Sequence, residues 1–217
     1  KCSVPLTIRT EGGAGRTLGA HHSQSLEAWL MHIPGIKVVM PATPADAKGL
    51  LKSSIREDNP IVFIEHKMLY NVKGQVPDEE YLTPIGVADV KRTGKDVTIL
   101  TYSRMLLFSL QAAEILEKQG ISVEVIDLRT LLPLDKETIK NSVMKTNRVV
   151  IVEEDTKTAG AGAEIGMTVI EECFDYLDAP IKRIAGADVP MPKSPNLEKL
   201  AIPSPERIVE GVKEVLK

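Results

Sequence analysis

The sequence predicts an α/β fold in which open, mainly parallel sheets carry helices on both faces. Several short runs are nearly continuous in β-branched and apolar residues, which is typical of strands covered on both sides. Helical patterns separate these runs, and such alternation indicates βαβ units and parallel sheets. The chain has 217 residues, of which 43% are hydrophobic and 26% charged, so it can bury a core of this kind.

Seven runs are predicted to be strands because each is short, apolar and rich in Val, Ile or Thr. They cover residues 4–9, 36–40, 61–64, 96–101, 123–127, 149–152 and 181–184. The last four alternate with helical patterns and are enough for a complete open sheet. The first three are few for an independent domain.

The predicted helices carry recognisable ends. Thr43 precedes Pro44, and Asp46 follows at the third helical position, which resembles a capping box. Ser204 and Pro205 open the last helix in the same way. The three helices between these two are predicted at residues 105–118, from about 135, and at 163–176.

A stretch without a strong helical period separates two groups of elements. Residues 65–95 contain several Gly, Pro and Asn and are predicted to form a linker with short extended pieces. We therefore place a domain boundary near residue 84, with one domain at residues 1–83 and the other at residues 84–217.

Composition and charge exclude several classes of protein. The 27 basic and 30 acidic residues give a net charge of −3, without the basic excess of nucleic-acid-binding proteins. No apolar run approaches the roughly 18 residues of a membrane span. Cys2 and Cys173 cannot form a disulfide framework and fit a reducing compartment such as the cytoplasm, with Cys173 in the core. The chain opens without Met or a signal-like stretch, and we expect that its beginning is missing or processed away.

Two glycine-rich segments, residues 12–19 and 160–166, follow strands and suggest phosphate binding. In both, the last glycine stands one residue further on than the dinucleotide-binding pattern requires. Glu164 would also repel a phosphate at the start of the helix that the second segment opens. We favour tight turns and close helix packing as the role of these glycines.

Two adjacent histidines, His21 and His22, lie in a predicted turn before an amphipathic segment. We expect their side chains to diverge, and no Cys or acid stands at ligand spacing, so a zinc site is not predicted. Two interpretations remain. Either the segment is a loop in which Ser25 caps a helix, or one histidine is presented as a general acid, oriented by Ser23 or Gln24.

Three adjacent acids, Glu153, Glu154 and Asp155, follow a predicted strand. The carboxyl ends of strands are the usual place for ligands in an open α/β sheet. A solvated loop explains these acids equally well from the sequence.

Six short motifs spread over the whole chain occur together, in the same order, in one known family. They are GAHHSQS at 19–25, PGIKVVMP at 34–41, AKGLL at 47–51, NP at 59–60, VIDLRT at 125–130 and GADVPMP at 186–192. On these motifs the chain resembles the beta subunits of the decarboxylating component of thiamine-diphosphate-dependent 2-oxoacid dehydrogenases. The pyruvate dehydrogenase type is the most similar, acetoin dehydrogenase is nearly as similar, and the branched-chain type is more distant.

The resemblance implies a fold and a division of labour. The fold would be the C-terminal portion of a transketolase-like pyrimidine-binding domain, followed by a transketolase C-terminal-type domain. Thiamine diphosphate and Mg²⁺ would be held mainly by an alpha subunit and by the N-terminal part of the beta subunit, which carries the glutamate that activates the cofactor. We therefore expect no cofactor-binding residue in this chain, and an isolated fragment without activity.

The resemblance also implies a catalytic residue. His22 matches the histidine of the family's His-Ser-Gln motif, which takes part in transfer of the acyl group to the lipoyl arm of the acyltransferase component. His21 stands where relatives vary, and no role is assigned to it.

A potassium site and a docking site are implied in the same way. The potassium ligands, several of them backbone carbonyls, would be Leu6, Thr7, Ser54, Ile55, Glu57 and Asn59. Relatives have Asp where this chain has Glu57. Asp178 and the terminal carboxylate of Lys217 would help to dock the dihydrolipoyl acyltransferase core. The implied assembly is α2β2, with two alpha and two beta subunits.

Three hypotheses of function result. The first is a subunit fragment that serves oxidative decarboxylation of pyruvate, with acetoin or a branched-chain 2-oxoacid as the alternative substrate. The second is a nucleotide-binding module of Rossmann type, which the glycine spacing weakens. The third is a structural assembly domain without catalysis. For the first hypothesis we expect a cytoplasmic protein, or one of the mitochondrial matrix or plastid in a eukaryote.

Overall fold

A computed structural model of the chain describes residues 2–217. The strands are β1 Thr7–Gly12, β2 Lys37–Val39, β3 Ile61–His66, β4 Asp89–Arg92, β5 Val97–Thr101, β6 Val123–Asp127, β7 Thr130–Leu132, β8 Val149–Thr156 and β9 Lys182–Gly186. The helices are α1 Glu27–Met31, α2 Pro44–Ile55, α3 Met105–Glu117, α4 Lys136–Thr146, α5 Ala161–Cys173, α6 Pro195–Ala201 and α7 Pro205–Val215, with 3₁₀ turns at Lys67–Leu69 and Phe174–Tyr176. No helix in the described range is long and apolar enough to cross a membrane.

The first sheet has the strand order β1-β3-β2-β7. Its first three strands are parallel, whereas β7 pairs antiparallel with β2 through Val38–Leu132 and Val39–Thr130. Residues beyond 84 therefore complete a sheet that begins near the start of the chain. Strand β7 was not predicted from the sequence, because three residues next to another strand give no period of their own.

The second sheet has the order β4-β6-β5-β8-β9 and is parallel except for β4, which runs antiparallel to β6 at one edge. Strands β5, β6, β8 and β9 are the four predicted in this part of the chain. The predicted α/β architecture with mainly parallel sheets is confirmed. Strand β4 was missed because Asp89–Arg92 is mostly polar, as suits an edge strand, and it lies in the predicted linker.

One apolar core joins the two sheets. Val38 and Val62 of the first sheet belong to the same buried cluster as Leu100 and Ile126 of the second. Cys173 lies in this cluster with 1% of its surface exposed, as predicted. The division of the chain near residue 84 stays a prediction. The two parts share this core, and β7 of the second part pairs with β2 of the first.

The ends of several elements differ from the prediction. Strand β1 begins at Thr7 rather than Val4, and β8 continues to Thr156. Ser25 does not cap a helix, because α1 begins at Glu27 after Leu26 and has no side-chain cap. Helix α6 was not predicted.

The predicted cap of α2 is present and leads into an ionic cluster. The Thr43 hydroxyl accepts a hydrogen bond from the Asp46 backbone N–H at 3.1 Å. The buried Asp46 carboxylate then receives the Lys91 ammonium of β4 at 2.7 Å and the Arg129 guanidinium at 2.9 Å. Arg129 lies between β6 and β7 and is itself nearly buried. Asp46 thus ties a helix that covers the first sheet to the edge strand β4 of the second sheet and to the β6–β7 connection between the sheets.

We expect the Asp46→Asn substitution to lower the free energy of unfolding by about 3–5 kcal/mol, since it leaves two cations without a buried partner. The cap survives this change because Thr43 accepts from the backbone of residue 46. The midpoint of urea unfolding measures the loss. Asp89→Asn is the matched control: Asp89 pairs with Lys91 at 2.6 Å but is 40% exposed, so its loss should cost less than about 1 kcal/mol. Equal losses would contradict the role of the buried pair.

Candidate functional site between the two sheets

The order of the second sheet reverses between β5 and β8. From β5 the chain passes to β6 on one side, and later to β8 on the other. In open α/β sheets the crevice at the carboxyl ends of such strands is the usual ligand site. The residues that follow β5 and end β8 include Tyr102, Arg104, Glu154 and Asp155. All four lie at the boundary with the first sheet.

The first glycine-rich segment fills this crevice. The backbone N–H of Ala14, which is fully buried, donates to the Glu154 carboxylate at 2.6 Å, and its carbonyl accepts from Arg104 at 3.2 Å. A side chain at Gly13 would collide with the His66 ring, and Gly13 and Gly15 have φ of +85° and +113°. The glycines therefore allow a tight turn, as predicted, and a close approach to the His66 ring in place of the predicted helix packing.

Glu154 is a buried carboxylate with strong partners. Both its oxygens lie 3.1 Å from Nε2 of His66, and Arg104 lies at 3.5 Å. Burial alone would raise the pKa of Glu154, but the hydrogen bond and charge of His66, with the Ala14 amide and Arg104, lower it below its usual range. Glu154 therefore stays an anion that links the end of β8 to the end of β3.

Glu27 behaves in the opposite way. It is 2% exposed, and its Oε1 accepts a hydrogen bond from the Tyr102 hydroxyl at 3.0 Å. Burial, aided by the charge of Asp155, raises the pKa of Glu27 to about 8. Burial also raises the pKa of Asp155, to about 6, and raises that of Tyr102 well above its usual value. Near neutral pH, Glu27 holds a proton beside the ionised Glu154.

Two cavities open on either side of this acid cluster. One, of about 340 Å³, is largely apolar, with Ile8, Met40 and Val62 in its wall. The other is a groove of about 790 Å³, lined by Asp155 and by the segment between β9 and α6, which includes Asp188. Glu154 and the segment 24–26 border both. The loop between β1 and α1 thus forms the wall between the cavities.

His22 lies on this loop with its side chain exposed. Its N–H donates to the Gly19 carbonyl at 3.2 Å, and its carbonyl accepts a hydrogen bond from the buried Lys67 ammonium. Its neighbours Ser23 and Gln24, rather than His22 itself, line the groove. The hydroxyl of Ser23 is buried and has no hydrogen-bond partner among the described residues, so it does not orient the imidazole.

The expectation that the two histidine side chains diverge is wrong. The rings of His21 and His22 are in contact, with centroids 4.3 Å apart and planes tilted by 46°. Within residues 2–217, no group of three or more His, Cys, Asp or Glu side chains is arranged to hold a metal ion. The contact therefore pairs two exposed imidazoles.

The second glycine-rich segment is also engaged by a carboxylate. The N–H of Gly162, in the first turn of α5, donates to Glu153 at 2.6 Å, and Arg183 of β9 pairs with the same carboxylate at 2.6 Å. Glu153, Glu154 and Asp155 are buried parts of β8, so the alternative of a solvated loop is wrong. The anion at the N-terminus of α5 is therefore the Glu153 carboxylate of the same chain.

The predicted potassium ligands gather at the start of β1 and the end of α2. The Thr7 hydroxyl donates to the Ser54 carbonyl at 2.9 Å, and the Leu6 carbonyl accepts from Ile61 at 2.8 Å. The exposed Ile55 belongs to the same helix end.

The side chain of Glu57 does not fit a cation at this place. The Lys37 ammonium lies 2.7 Å from its carboxylate and lowers its pKa, and Asn59 donates to the other oxygen at 2.7 Å. A potassium site therefore remains a prediction that depends on the backbone carbonyls.

The two predicted docking residues lie at the opposite edge of the second sheet from the acid cluster. Asp178 is exposed, precedes β9 and contacts Arg148, at the start of β8, at 3.5 Å. Glu214, near the end of α7, pairs with Lys182 at the start of β9, which places Lys217 at the same edge. Their role in docking remains a prediction.

Sequence reasoning missed four residues of the site. These are Glu27, His66, Tyr102 and Glu198 of α6, whose carboxylate accepts a hydrogen bond from the Gly15 N–H at 2.8 Å. Each is one polar residue in an apolar or mixed segment, and its partner lies far away in the chain: Tyr102 and Glu27 are 75 residues apart. The parts of the site that the sequence did indicate are the three acids at the end of β8, the glycine-rich segments and the loop of His22.

We expect the Glu27→Gln substitution to flatten the dependence of stability on pH. In the wild type the folded state keeps a proton on Glu27 up to about pH 8, whereas the unfolded state releases it near pH 4.5. The contribution of Glu27 to stability is therefore full below pH 4.5 and falls as pH rises to 8, by up to about 1.4 kcal/mol per pH unit.

Denaturation of wild type and variant at pH 5.5, 7 and 8.5 measures this difference. The variant should gain relative to the wild type as pH rises. Exposed Glu206→Gln, at the start of α7, serves as the control and should not change the slope in this range. A constant difference between wild type and Glu27→Gln at all three pH values would contradict the protonated Glu27.

Comparison with known proteins agrees with this architecture. The family model "Transketolase, pyrimidine binding domain" matches residues 1–73, and "Transketolase, C-terminal domain" matches residues 86–208. A solved structure described as "Split gene transketolase, inactive beta4 tetramer" superposes with a TM-score of 0.82 at 25% identity, covering 99% of this chain and 68% of that chain.

Curated relatives carry more specific names. Pyruvate dehydrogenase E1 component subunit beta-2, mitochondrial, of Oryza sativa is 52% identical over 97% of this chain and 57% of its own length. The corresponding subunit beta of Dictyostelium discoideum is 53% identical over 97% and 60%. The 2-oxoisovalerate dehydrogenase subunit beta of Bacillus subtilis is 48% identical over 98% and 66%. The chain thus spans less than two thirds of the length of these relatives. It belongs to the transketolase family, in which its relatives include beta subunits of pyruvate dehydrogenase E1.

Proposed function

We propose that the chain serves in the beta subunit of a pyruvate dehydrogenase decarboxylating component. It would take part in oxidative decarboxylation of pyruvate and in acyl transfer to a lipoyl group. The observation that carries this proposal is the exposed His22 of the His-Ser-Gln motif, on the loop whose residues 24–26 separate two cavities. The chain is also about half identical to such subunits.

The role proposed for His22 is proton donation. When a lipoyl disulfide accepts an acyl group, the S–S bond breaks, one sulfur takes the acyl carbon and the other takes a proton. An imidazole changes its charge near neutral pH and can donate that proton. The exposed position of His22 leaves its ring accessible to a lipoyl arm that approaches from solvent.

Thiamine diphosphate, when bound, supplies the electron sink for decarboxylation of a 2-oxoacid. The described residues of this chain do not fit its diphosphate, because the amides of both glycine-rich segments donate to Glu153, Glu154 and Glu198. Nor does this part of the protein gather acids for Mg²⁺. We infer that an alpha subunit holds the diphosphate and Mg²⁺.

The proposed partners follow from the same assignment. They are alpha subunits and a second beta subunit in an α2β2 assembly, with the acyltransferase core at Asp178 and Lys217. The rice and Dictyostelium relatives are named as mitochondrial. We propose the mitochondrial matrix or a plastid for a eukaryotic source and the cytoplasm otherwise.

A branched-chain 2-oxoacid is the second candidate substrate. The observation that favours it is the 2-oxoisovalerate dehydrogenase subunit of Bacillus subtilis, which is 48% identical to this chain. The two substrates differ in one apolar group, methyl against isopropyl, so the same chemistry serves both.

Turnover of a complex assembled with the full-length beta subunit tests the substrate. With alpha subunit, thiamine diphosphate and Mg²⁺ present, we expect kcat/KM for pyruvate to exceed that for 2-oxoisovalerate by at least about tenfold, the discrimination that an apolar pocket gives for such a difference. Acetoin serves as the third substrate and alpha subunit alone as the blank. A preference for 2-oxoisovalerate or acetoin would replace pyruvate in the proposal.

The His22→Ala substitution tests the proposed proton donor. In the assembled complex we expect acyl transfer to a lipoyl domain to slow by about 10²–10⁴-fold, the usual contribution of a general acid, with decarboxylation largely unchanged. Each half-reaction is measured separately, the first with an artificial electron acceptor.

The neighbouring His21→Ala is the matched control, because it removes an exposed imidazole from the same loop and should leave both half-reactions near the wild-type rate. Equal losses in both half-reactions for His22→Ala would mean that His22 only shapes the site.

A further inference from the structure

The loop that carries His22 is held by a carboxylate from the far end of the chain. Glu198, on α6, is 3% exposed. Its Oε1 accepts a hydrogen bond from the Gly15 N–H at 2.8 Å. The Thr17 N–H donates to both its oxygens, at 3.2 and 3.1 Å. One side chain therefore fixes two amides of the loop.

The charge of Glu198 has no other partner in the described part of the chain. Among residues 2–217, no Lys, Arg or His side chain lies within 4.0 Å of its carboxylate. Its donors are instead two backbone N–H groups of one loop, those of Gly15 and Thr17, which converge on the carboxylate as they would on a bound anion. A buried carboxylate needs such donors, and so it holds them firmly.

The backbone between these amides and His22 includes an intrinsically unfavourable conformation. Thr17 has φ of +53°, a left-handed conformation that a β-branched residue rarely adopts, and Gly19 has φ of +78°. The Gly19 carbonyl then accepts the His22 N–H. The six residues 17–22 thus connect an amide held by Glu198 to the proposed proton donor.

We propose that Glu198 is a positioning residue that fixes the loop of His22 from the second sheet's side of the molecule. The proposal rests on the function proposed above for His22. Glu198 acts through the backbone, since no contact joins its carboxylate to the imidazole.

The Glu198→Gln substitution weakens this hold without changing the size of the side chain. A carboxamide offers one acceptor oxygen, and its NH₂ group would face a backbone N–H. We expect acyl transfer to the lipoyl domain to slow by about 10–100-fold, the cost of a small misplacement of a reacting group. Decarboxylation should stay within about twofold of wild type. Glu198→Asp, which keeps the charge on a shorter stem, should lose less than Glu198→Gln.

Glu124→Gln is the matched control. Glu124 is a buried carboxylate of β6 that accepts from Ser142 and Lys145, far from the His22 loop. Its substitution reports the general effect of losing a buried carboxylate. We expect it to change the two half-reactions equally or not at all.

A double-mutant cycle with His22→Ala decides whether Glu198 acts through His22. In the assembled complex, Glu198→Gln should cause no further loss of acyl transfer once His22 is absent. Losses that multiply, or a Glu198→Gln variant that behaves like Glu124→Gln, would overturn the positioning role while leaving the role of His22 intact. A His22→Ala variant with unchanged acyl transfer would instead overturn the function proposed for His22, and the positioning role with it.

Amide hydrogen exchange of the full chain measures the hold directly, independent of activity. We expect faster exchange at residues 15–22 in Glu198→Gln than in wild type or Glu124→Gln, with β8 unchanged. If exchange in the loop stays at the wild-type rate, the carboxylate does not fix it, and the proposal fails whatever the kinetics show.

Discussion

The hydrogen bonds from the backbone N–H groups of Ala14, Gly15 and Thr17 to two buried carboxylates, Glu154 and Glu198, are the constraint on which the site depends. A buried carboxylate is costly unless donors surround it, and a buried loop is costly unless its amides find acceptors. Here the loop amides donate to the carboxylates, so both kinds of buried group have hydrogen-bond partners. The same contacts close the crevice at the carboxyl ends of β5 and β8, join the two sheets and shape the loop of His22.

Two neighbouring buried acids have opposite protonation states, and the groups that contact each acid determine its state. Glu154 meets His66 and Arg104 and remains ionised, whereas Glu27 meets the Tyr102 hydroxyl and the charge of Asp155 and retains its proton. Desolvation raises the pKa of both acids, so the difference comes from the hydrogen bonds and charges of their partners. The interface between the sheets therefore holds one anion and one neutral acid side by side, which limits the repulsion within the cluster.

The sequence predicted the elements that have a period or a cap. Strands β5, β6 and β8 and the Thr43 cap of α2 are in place. It did not predict β4 and β7, whose pairing comes from their neighbours rather than from their own residues. It identified the acids at the end of β8 but not Glu198, since a single acid in a short helix looks like a solvated one. Contacts across more than a hundred residues leave no local signal.

The glycine-rich segments explain why a motif alone misleads. Their spacing is close to that of a phosphate-binding loop because the physical need is the same: backbone amides must converge on an anion without interference from side chains. In this chain the anions are its own carboxylates, at Gly162 as well as at Ala14 and Gly15. The usual ligand crevice of the second sheet is thereby used for assembly of the two parts, and this assembly presents the loop on which the proposed proton donor lies. A site built in this way exists only when both sheets are folded against each other, because the first supplies the loop and the second supplies the charges that fix it.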